Sequence, residues 1–254
     1  MAVAGRPAGR SGGSRIVEHR QRNILRSAPP NGARARRRAV VFDFDGTLVD
    51  SYPLIEAAFS TVMRKHALDE RARALFRQSR GLPLPEQMRR VSPDLWEDLV
   101  ATYRRADSRL GPAQVFRGIP TLVRTLRQRG VQLGVVSCKR RVLVETELEG
   151  IGLHRYFDVI IGYEDVSPPK PAPDPLLAAI NHLELPLGSA LYVGDSLVDM
   201  ETGQAARVRT VLAAWGHSAE MNGEFARYRL RALRPRDLLA LVDDLGPNGH
   251  QHAA

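Results

Sequence analysis

Five short apolar runs, each closing on polar residues, govern what this chain can fold into. Ala39-Val40-Val41-Phe42 stops at Asp43, and similar runs occupy 131–137, 157–161, 190–193 and 208–213. Apolar, β-branched segments of this length, bounded by turn residues, read as buried strands. Between them lie amphipathic stretches, such as 120–129 with Leu122, Val123 and Leu126 on one face, and 174–183. Strands alternating with helices predict right-handed crossovers and an α/β fold built on a doubly wound parallel sheet.

One stretch breaks the alternation. Residues 52–66, 69–78, 85–90 and 93–110 all read as helices, with no strand among them. The spacing therefore predicts a core made of 39–51 and 116–246, with a small α-helical domain inserted as 52–115. Residues 1–38 are rich in Gly, Arg and Ala, with Pro29-Pro30 and Asn31-Gly32 as breakers. They read as a disordered arm, with 16–25 as its one candidate short helix. Residues 247–254 read as a tail.

The formal net charge of +9 suggests nucleic acid until it is located. Ten Arg and a single acid, Glu18, fall within 1–38, and the remaining basic and acidic residues balance. The folded part gives no reason to expect a nucleic-acid partner. The arm keeps three readings: a tail for nucleic acid or an acidic partner, an Arg-rich presequence, or a solvated extension. The single cysteine, Cys138, excludes an intrachain disulfide framework and a multi-Cys metal site. No run approaches the roughly 18 apolar residues of a membrane helix, and the first residues lack the apolar run of a secretory signal. A soluble, cytoplasmic protein is expected.

Ligands in open α/β sheets bind beyond the carboxyl ends of the strands. Those ends here deliver Asp43-Phe44-Asp45-Gly46-Thr47, Ser137-Cys138-Lys139, Lys170-Pro171-Ala172-Pro173-Asp174 and Gly194-Asp195-Ser196-Leu197-Val198-Asp199. The set suits phosphoryl transfer. Mg²⁺ takes oxygen ligands, and Asp43 and Asp195 can supply carboxylates. A carboxylate can attack phosphorus and leave an aspartyl-phosphate for water to hydrolyse. Like charges close together raise one pKa, so one of Asp43 and Asp45 can donate a proton to the leaving group. Lys170 and Ser137 can hold the equatorial phosphate oxygens, and Gly46 permits a tight turn that aims backbone amides at the anion.

In order and spacing these four segments resemble the four motifs of the haloacid dehalogenase (HAD) superfamily over 39–246. The helical insertion resembles the C1 cap of its phosphoglycolate phosphatase-like members. The resemblance implies a Rossmann-like core with a helical cap, and a Mg²⁺-dependent phosphoric monoester hydrolase acting on a small phosphate ester, with phosphoglycolate as the family default. It implies Asp43 as nucleophile and metal ligand, and Asp45 as general acid/base that also binds metal through its carbonyl. Thr47 would position Asp45, and Ser137 and Lys170, with Gly46 and Thr47 alongside, would bind phosphate. Asp195 would ligate the metal and Asp199 would support it, directly or through Lys170. Asp at 45 fits ester hydrolysis rather than dehalogenase or phosphonatase chemistry, and Thr47 fits phosphatases rather than β-phosphoglucomutase-like isomerases.

Several residues keep a plainer reading beside the functional one. Ser137 can be the N-cap of the following helix, and Asp199 a first-turn helix acid. Lys139 either reaches the phosphate region or sits in a helix's first turn. Arg80-Gly81-Leu82-Pro83 either reads the leaving group or is an interhelical turn, so Arg80, Gly81 and Lys139 are the candidates for specificity. Cys138 reads as a small half-buried filler, and Trp215-Gly216-His217 as loop packing at the rim. The same core could serve an inorganic pyrophosphatase or a phosphomutase. From another class, a binding or regulatory protein could act through its basic arm.

Overall fold

The computed structural model describes residues 37–216, 225 and 227–245. The arm through residue 36, the candidate helix at 16–25, His217 and the tail at 247–254 lie outside the described residues. The strands are β1 (Ala39–Phe42), β2 (Val49–Asp50), β3 (Gln114–Val115), β4 (Gln132–Val136), β5 (Val159–Ile161), β6 (Ala190–Gly194), β7 (Arg209–Ala213) and β8 (Arg231–Ala232). The helices are α1 (Tyr52–His66), α2 (Glu70–Gln78), α3 (Leu84–Val91), α4 (Trp96–Asp107), α5 (Ile119–Gln128), α6 (Arg141–Gly150), α7 (Asp174–His182), α8 (Leu197–Ala205) and α9 (Leu238–Asp243). No described helix is long and apolar enough to cross a membrane.

Six strands form one parallel sheet in the order β5-β4-β1-β6-β7-β8. The alternation of strand and helix therefore gives the doubly wound, Rossmann-like α/β sheet that the sequence predicts. Side chains alternate across it with the period of a strand. Val40, Phe42, Leu133, Val135, Leu191 and Val193 pack with α5, α6 and α9 on one face. Ala39, Val41, Val136, Ala190 and Tyr192 pack with α7 on the other. Because both faces are covered, the strands read as unbroken apolar runs rather than as alternating ones.

The chain leaves β1 toward β4 and β5, then returns to lay β6 on β1's other side. The strand order thus reverses between β1 and β6, which places a crevice at the carboxyl ends of those two strands. Asp43 follows β1 and Asp195 follows β6, so the reversal alone brings them together.

Helices α1–α4 bury a hydrophobic cluster of their own around Phe59, Phe76, Met88 and Leu99. The Phe59 and Phe76 rings stack with centroids 3.9 Å apart. Pro53 in the first turn and Arg64, Lys65 and His66 in the last mark the ends of α1. One detail departs from the all-helical reading of 52–115: Gln114–Val115 pairs antiparallel with Val49–Asp50. A two-residue strand has too few positions to show periodicity, and its partner lies across four helices. The α4 reading was also too long, since the Ser92-Pro93-Asp94-Leu95 segment forms a turn before the helix begins.

Candidate active site

The turn after β1 shapes the site. The Asp43 amide donates to Val193 O at 2.8 Å, which ties the first residue beyond β1 to β6. Three residues on, Gly46 has φ +82°, and a Cβ there would collide with the Asp195 carboxylate and the Tyr52 ring. Only glycine fits a left-handed conformation pressed this close to a carboxylate. Trp215 Nε1 donates to Thr47 O at 2.8 Å, and Gly216 lies against the Gly46 carbonyl. Residues 215 and 216 thus brace the turn.

Lys170 is the hub. Its side chain is 2% exposed, and its ammonium donates to Asp43 Oδ1 at 2.8 Å and Asp199 Oδ1 at 2.7 Å. Tyr192 Oη at 3.2 Å and Val136 O at 3.3 Å complete its surroundings. Burial works against a charged lysine, but Asp199 and Asp43 outweigh it and hold the Lys170 pKa well above its ordinary value. Burial likewise works against the Asp199 carboxylate, and there Lys170 and its hydrogen bonds win, holding the pKa below the usual carboxylate range. Asp43 goes the other way: burial, with the like charges of Asp199 and Asp195, holds it well above its ordinary value despite Lys170.

Asp199 is a first-turn helix acid that also reaches Lys170. It closes a capping box at the start of α8 with Ser196, and its other oxygen serves Lys170 and the Tyr192 hydroxyl, which donates at 2.7 Å. Asp195 is fully buried and accepts from Tyr52 Oη at 2.9 Å and Thr47 Oγ1 at 3.2 Å. The Thr47 hydroxyl therefore goes to Asp195, not to Asp45 as the motif resemblance implied. The phenol of Tyr52, at the start of α1, links the helical insertion directly to the core.

Ligand oxygens of Asp43, Asp195 and Asp199 lie within 4.8 Å of one another, and all three residues are buried. Three buried carboxylates thus lie together, and two of them share the Lys170 ammonium. A hard, oxygen-preferring cation fits that donor set. Both oxygens of Asp199 are engaged by Lys170, Tyr192 and Ser196, those of Asp195 accept from the neutral hydroxyls of Thr47 and Tyr52, and the ammonium is divided between Asp43 and Asp199. The Asp45 carboxylate stands outside this cluster.

Ser137 follows β4, and its amide donates to Ile161 O at 2.9 Å. It is not a helix cap: α6 starts at Arg141, and the Ser137 hydroxyl accepts the Lys139 amide at 3.1 Å. Lys139 precedes the helix as well. Its ammonium lies 3.2 Å from Asp45 Oδ1 and 2.6 Å from Glu147 Oε1. Burial pushes the Cys138 thiol up to about 12, consistent with a filler.

A cavity of about 410 Å³ opens over these groups. Asp43, Asp45, Ser137 and Lys139 line its core side, and Tyr52, Arg80, Gly81, Tyr103 and Asp107 its helical side. Arg80 lies over the Tyr52 ring, 4.7 Å from its centroid, and donates to Glu56 Oε1 at 2.8 Å. Gly81 has φ +85°, and a Cβ there would come within 2.7 Å of Ser196 Oγ. The Arg80-Gly81 loop thus rests on the start of α8, above the carboxylates. Tyr52, Tyr192 and Glu147 were not singled out from sequence. A tyrosine inside an apolar strand or opening a helix, and an acid within a helix, carry no local signal of a long-range partner.

Residues 40–213 match the haloacid dehalogenase-like hydrolase family. The chain is 32% identical over 180 residues to the pyrophosphatase PpaX of Oceanobacillus iheyensis, covering 70% of this chain and 84% of that protein. It is 30% identical over 210 residues to a phosphoglycolate phosphatase of Aquifex aeolicus, covering 82% and 97%. Among solved structures, a haloacid dehalogenase-like family hydrolase from Streptococcus pneumoniae superposes with a TM-score of 0.68 at 26% identity, over 81% of this chain and 98% of that one.

Proposed function

The chain belongs to the haloacid dehalogenase-like hydrolase family, as a phosphoric monoester hydrolase, and within it we propose a Mg²⁺-dependent phosphatase that hydrolyses a small phosphomonoester through a phosphoryl-Asp43 intermediate. The observation that carries the reading is the buried Asp43–Lys170–Asp199 chain beside Asp195 at the strand-order reversal. A structural ion pair needs one carboxylate per ammonium. Three clustered buried carboxylates, two of them on one lysine, make sense where a cation and a phosphoryl group are to be received.

Asp43 and Asp195 would hold the Mg²⁺, which when bound neutralises the charge between an anionic nucleophile and an anionic ester. Asp43 Oδ forms the bond to phosphorus as the ester P–O bond breaks, and Asp45 gives its proton to the departing oxygen. Water then attacks the same phosphorus, its proton passes to Asp45, and the P–Oδ bond breaks to restore Asp43. Lys170 orients the nucleophile through its bond to Asp43, and Asp199 holds Lys170. The Ser137 hydroxyl accepts the Lys139 amide, so its own proton is left to donate to a phosphate oxygen. The loop carrying Arg80 and Gly81 closes the site above and limits the substrate to a small molecule.

The relatives favour two substrates, an anhydride and an ester, since one is named for pyrophosphate and another for phosphoglycolate. The test is phosphate release by the purified protein from a panel of small phosphomonoesters and pyrophosphate, with Mg²⁺, with EDTA, and with Asp43→Asn. Release that needs Mg²⁺ and Asp43 supports the reading, and the best ester identifies the leaving group. Preference for pyrophosphate replaces the monoester. Rearranged ester in place of free phosphate makes it a mutase, and release that persists in Asp43→Asn rules out the intermediate.

A further inference from the structure

The residue expected to orient Asp45, Thr47, is committed to Asp195. Among the described residues the Asp45 carboxyl has one side-chain partner, the Lys139 ammonium at 3.2 Å. Lys139 is not free to read a leaving group. Its second and shorter contact, 2.6 Å, goes to Glu147 Oε1 on α6, and the ammonium stands 5.3 Å from the centre of the Phe44 ring. Its backbone amide meanwhile binds the Ser137 hydroxyl. One residue thus grips the acid/base candidate with its side chain and the phosphate-side hydroxyl with its main chain. The surrounding charges agree: burial works against the Lys139 ammonium, yet Asp45 and Glu147 together hold its pKa above the ordinary lysine value.

We propose that Lys139 is a positioning residue for Asp45 and that Glu147 is its anchor. This rests on the reading of Asp45 as general acid/base. An ammonium claimed by two carboxylates has little charge left to offer a substrate anion, whereas two contacts of unequal length suit a holder. Glu147 fixes the ammonium, and the looser bond lets the Asp45 carboxyl turn to the departing oxygen and back to the incoming water. Glu147 also offsets the lysine's charge, so Asp45 is oriented without facing a full unpaired cation. Asp107, which lines the same cavity, adds a further carboxylate on that side.

Lys139→Met and Glu147→Gln, each checked by circular dichroism, test this with two substrates: the best alkyl ester of the panel, and p-nitrophenyl phosphate, whose leaving group departs without a proton. In Lys139→Met kcat on the alkyl ester falls about 100-fold or more, as for loss of general acid/base catalysis, with KM within about threefold. On p-nitrophenyl phosphate the same variant releases a burst of one nitrophenol per enzyme and then turns over slowly, because only the second step needs Asp45. Glu147→Gln, whose side chain is partly exposed, shows the same pattern about tenfold more weakly. A raised KM with kcat intact on the alkyl ester makes Lys139 a leaving-group reader and overturns the proposal. So does unchanged turnover, or a uniform fall on both substrates without a burst. If the wild-type protein shows no Asp43-dependent release, the phosphatase reading itself fails and takes this inference with it.

Discussion

Replacing Lys170 with Met removes a buried ammonium from between two buried carboxylates while keeping a side chain of similar length. Its side chain is 2% exposed, and those of Asp43 and Asp199 are 8% and 0%. Removing one partner of a buried pair costs about 3–5 kcal/mol, because the charge left behind has no compensation. For a domain of this size each kcal/mol moves the melting temperature by roughly 2–4 °C, so Lys170→Met melts about 6–20 °C below wild type. The assay is thermal unfolding followed by circular dichroism in EDTA, at pH 7.5 and pH 5.5. The pH dependence has a definite sign. In the wild type Asp199 is held low, so its contribution is present above the ordinary carboxylate pKa and survives at both pH values. Asp43 is held high, and the stability linked to its protonated form is present at low pH and lost as pH rises. Without the ammonium, Asp199 joins Asp43 in that second class. The variant is therefore most penalised at pH 7.5, and the gap to wild type narrows at pH 5.5. A shift under about 2 °C, or a gap that widens on acidification, refutes Lys170 as the charge that holds this site together.

Gly46→Ala puts a methyl group against Asp195 and Tyr52 at a positive φ, and should cut phosphate release about 100-fold by displacing the turn; activity within threefold of wild type would contradict the geometry. Cys138, with its thiol pushed up to about 12 from the ordinary 9.0, carries about a thousandfold less thiolate at pH 8 than a free cysteine. Its alkylation by iodoacetamide, followed by mass spectrometry, should be at least tenfold slower in the folded protein than in urea and should speed up with each pH unit; rapid labelling at neutral pH counts against it. Phe76→Ala removes one ring of the stacked pair inside α1–α4 and should cost about 3–5 kcal/mol, read as a lower denaturation midpoint in urea. A midpoint unchanged from wild type would show that this cluster contributes no stability.

The sheet and most of the site were legible because strand ends are marked locally: an apolar run gives way to a polar cluster, and the fold collects such ends on one edge. That was enough to bring together Asp43, Ser137, Lys170, Asp195 and Asp199. Strand β8 was not legible, since Arg231–Ala232 is two residues long and gains its place only by pairing with β7. Side-chain partners across the fold were hidden for a related reason. Lys139 and Asp45 are 94 positions apart, and Tyr52 and Asp195 are 143 apart. No local pattern says which of two nearby acids a hydroxyl will choose, and Thr47 chose Asp195.

Composition nevertheless held a cue to these contacts. Arg is the default cation of this chain, and Lys occurs only at 65, 139 and 170. Arg serves where one carboxylate is approached from several sides, as when Arg73, Arg77 and Arg80 converge on Glu56. A planar fork spreads its donors over a wide front, as Arg73 does in reaching Glu56 and Glu70 at once, whereas an ammonium presents three donors at a point. Lys170 lies between Asp43 and Asp199, and Lys139 between Asp45 and Glu147, each as a compact point charge with three donors. Lys65, which bonds the Thr102 hydroxyl at 3.3 Å, is the exception and lies among the inserted helices. The two lysines at the sheet edge are thus placed where one compact cation serves two acids from a single point.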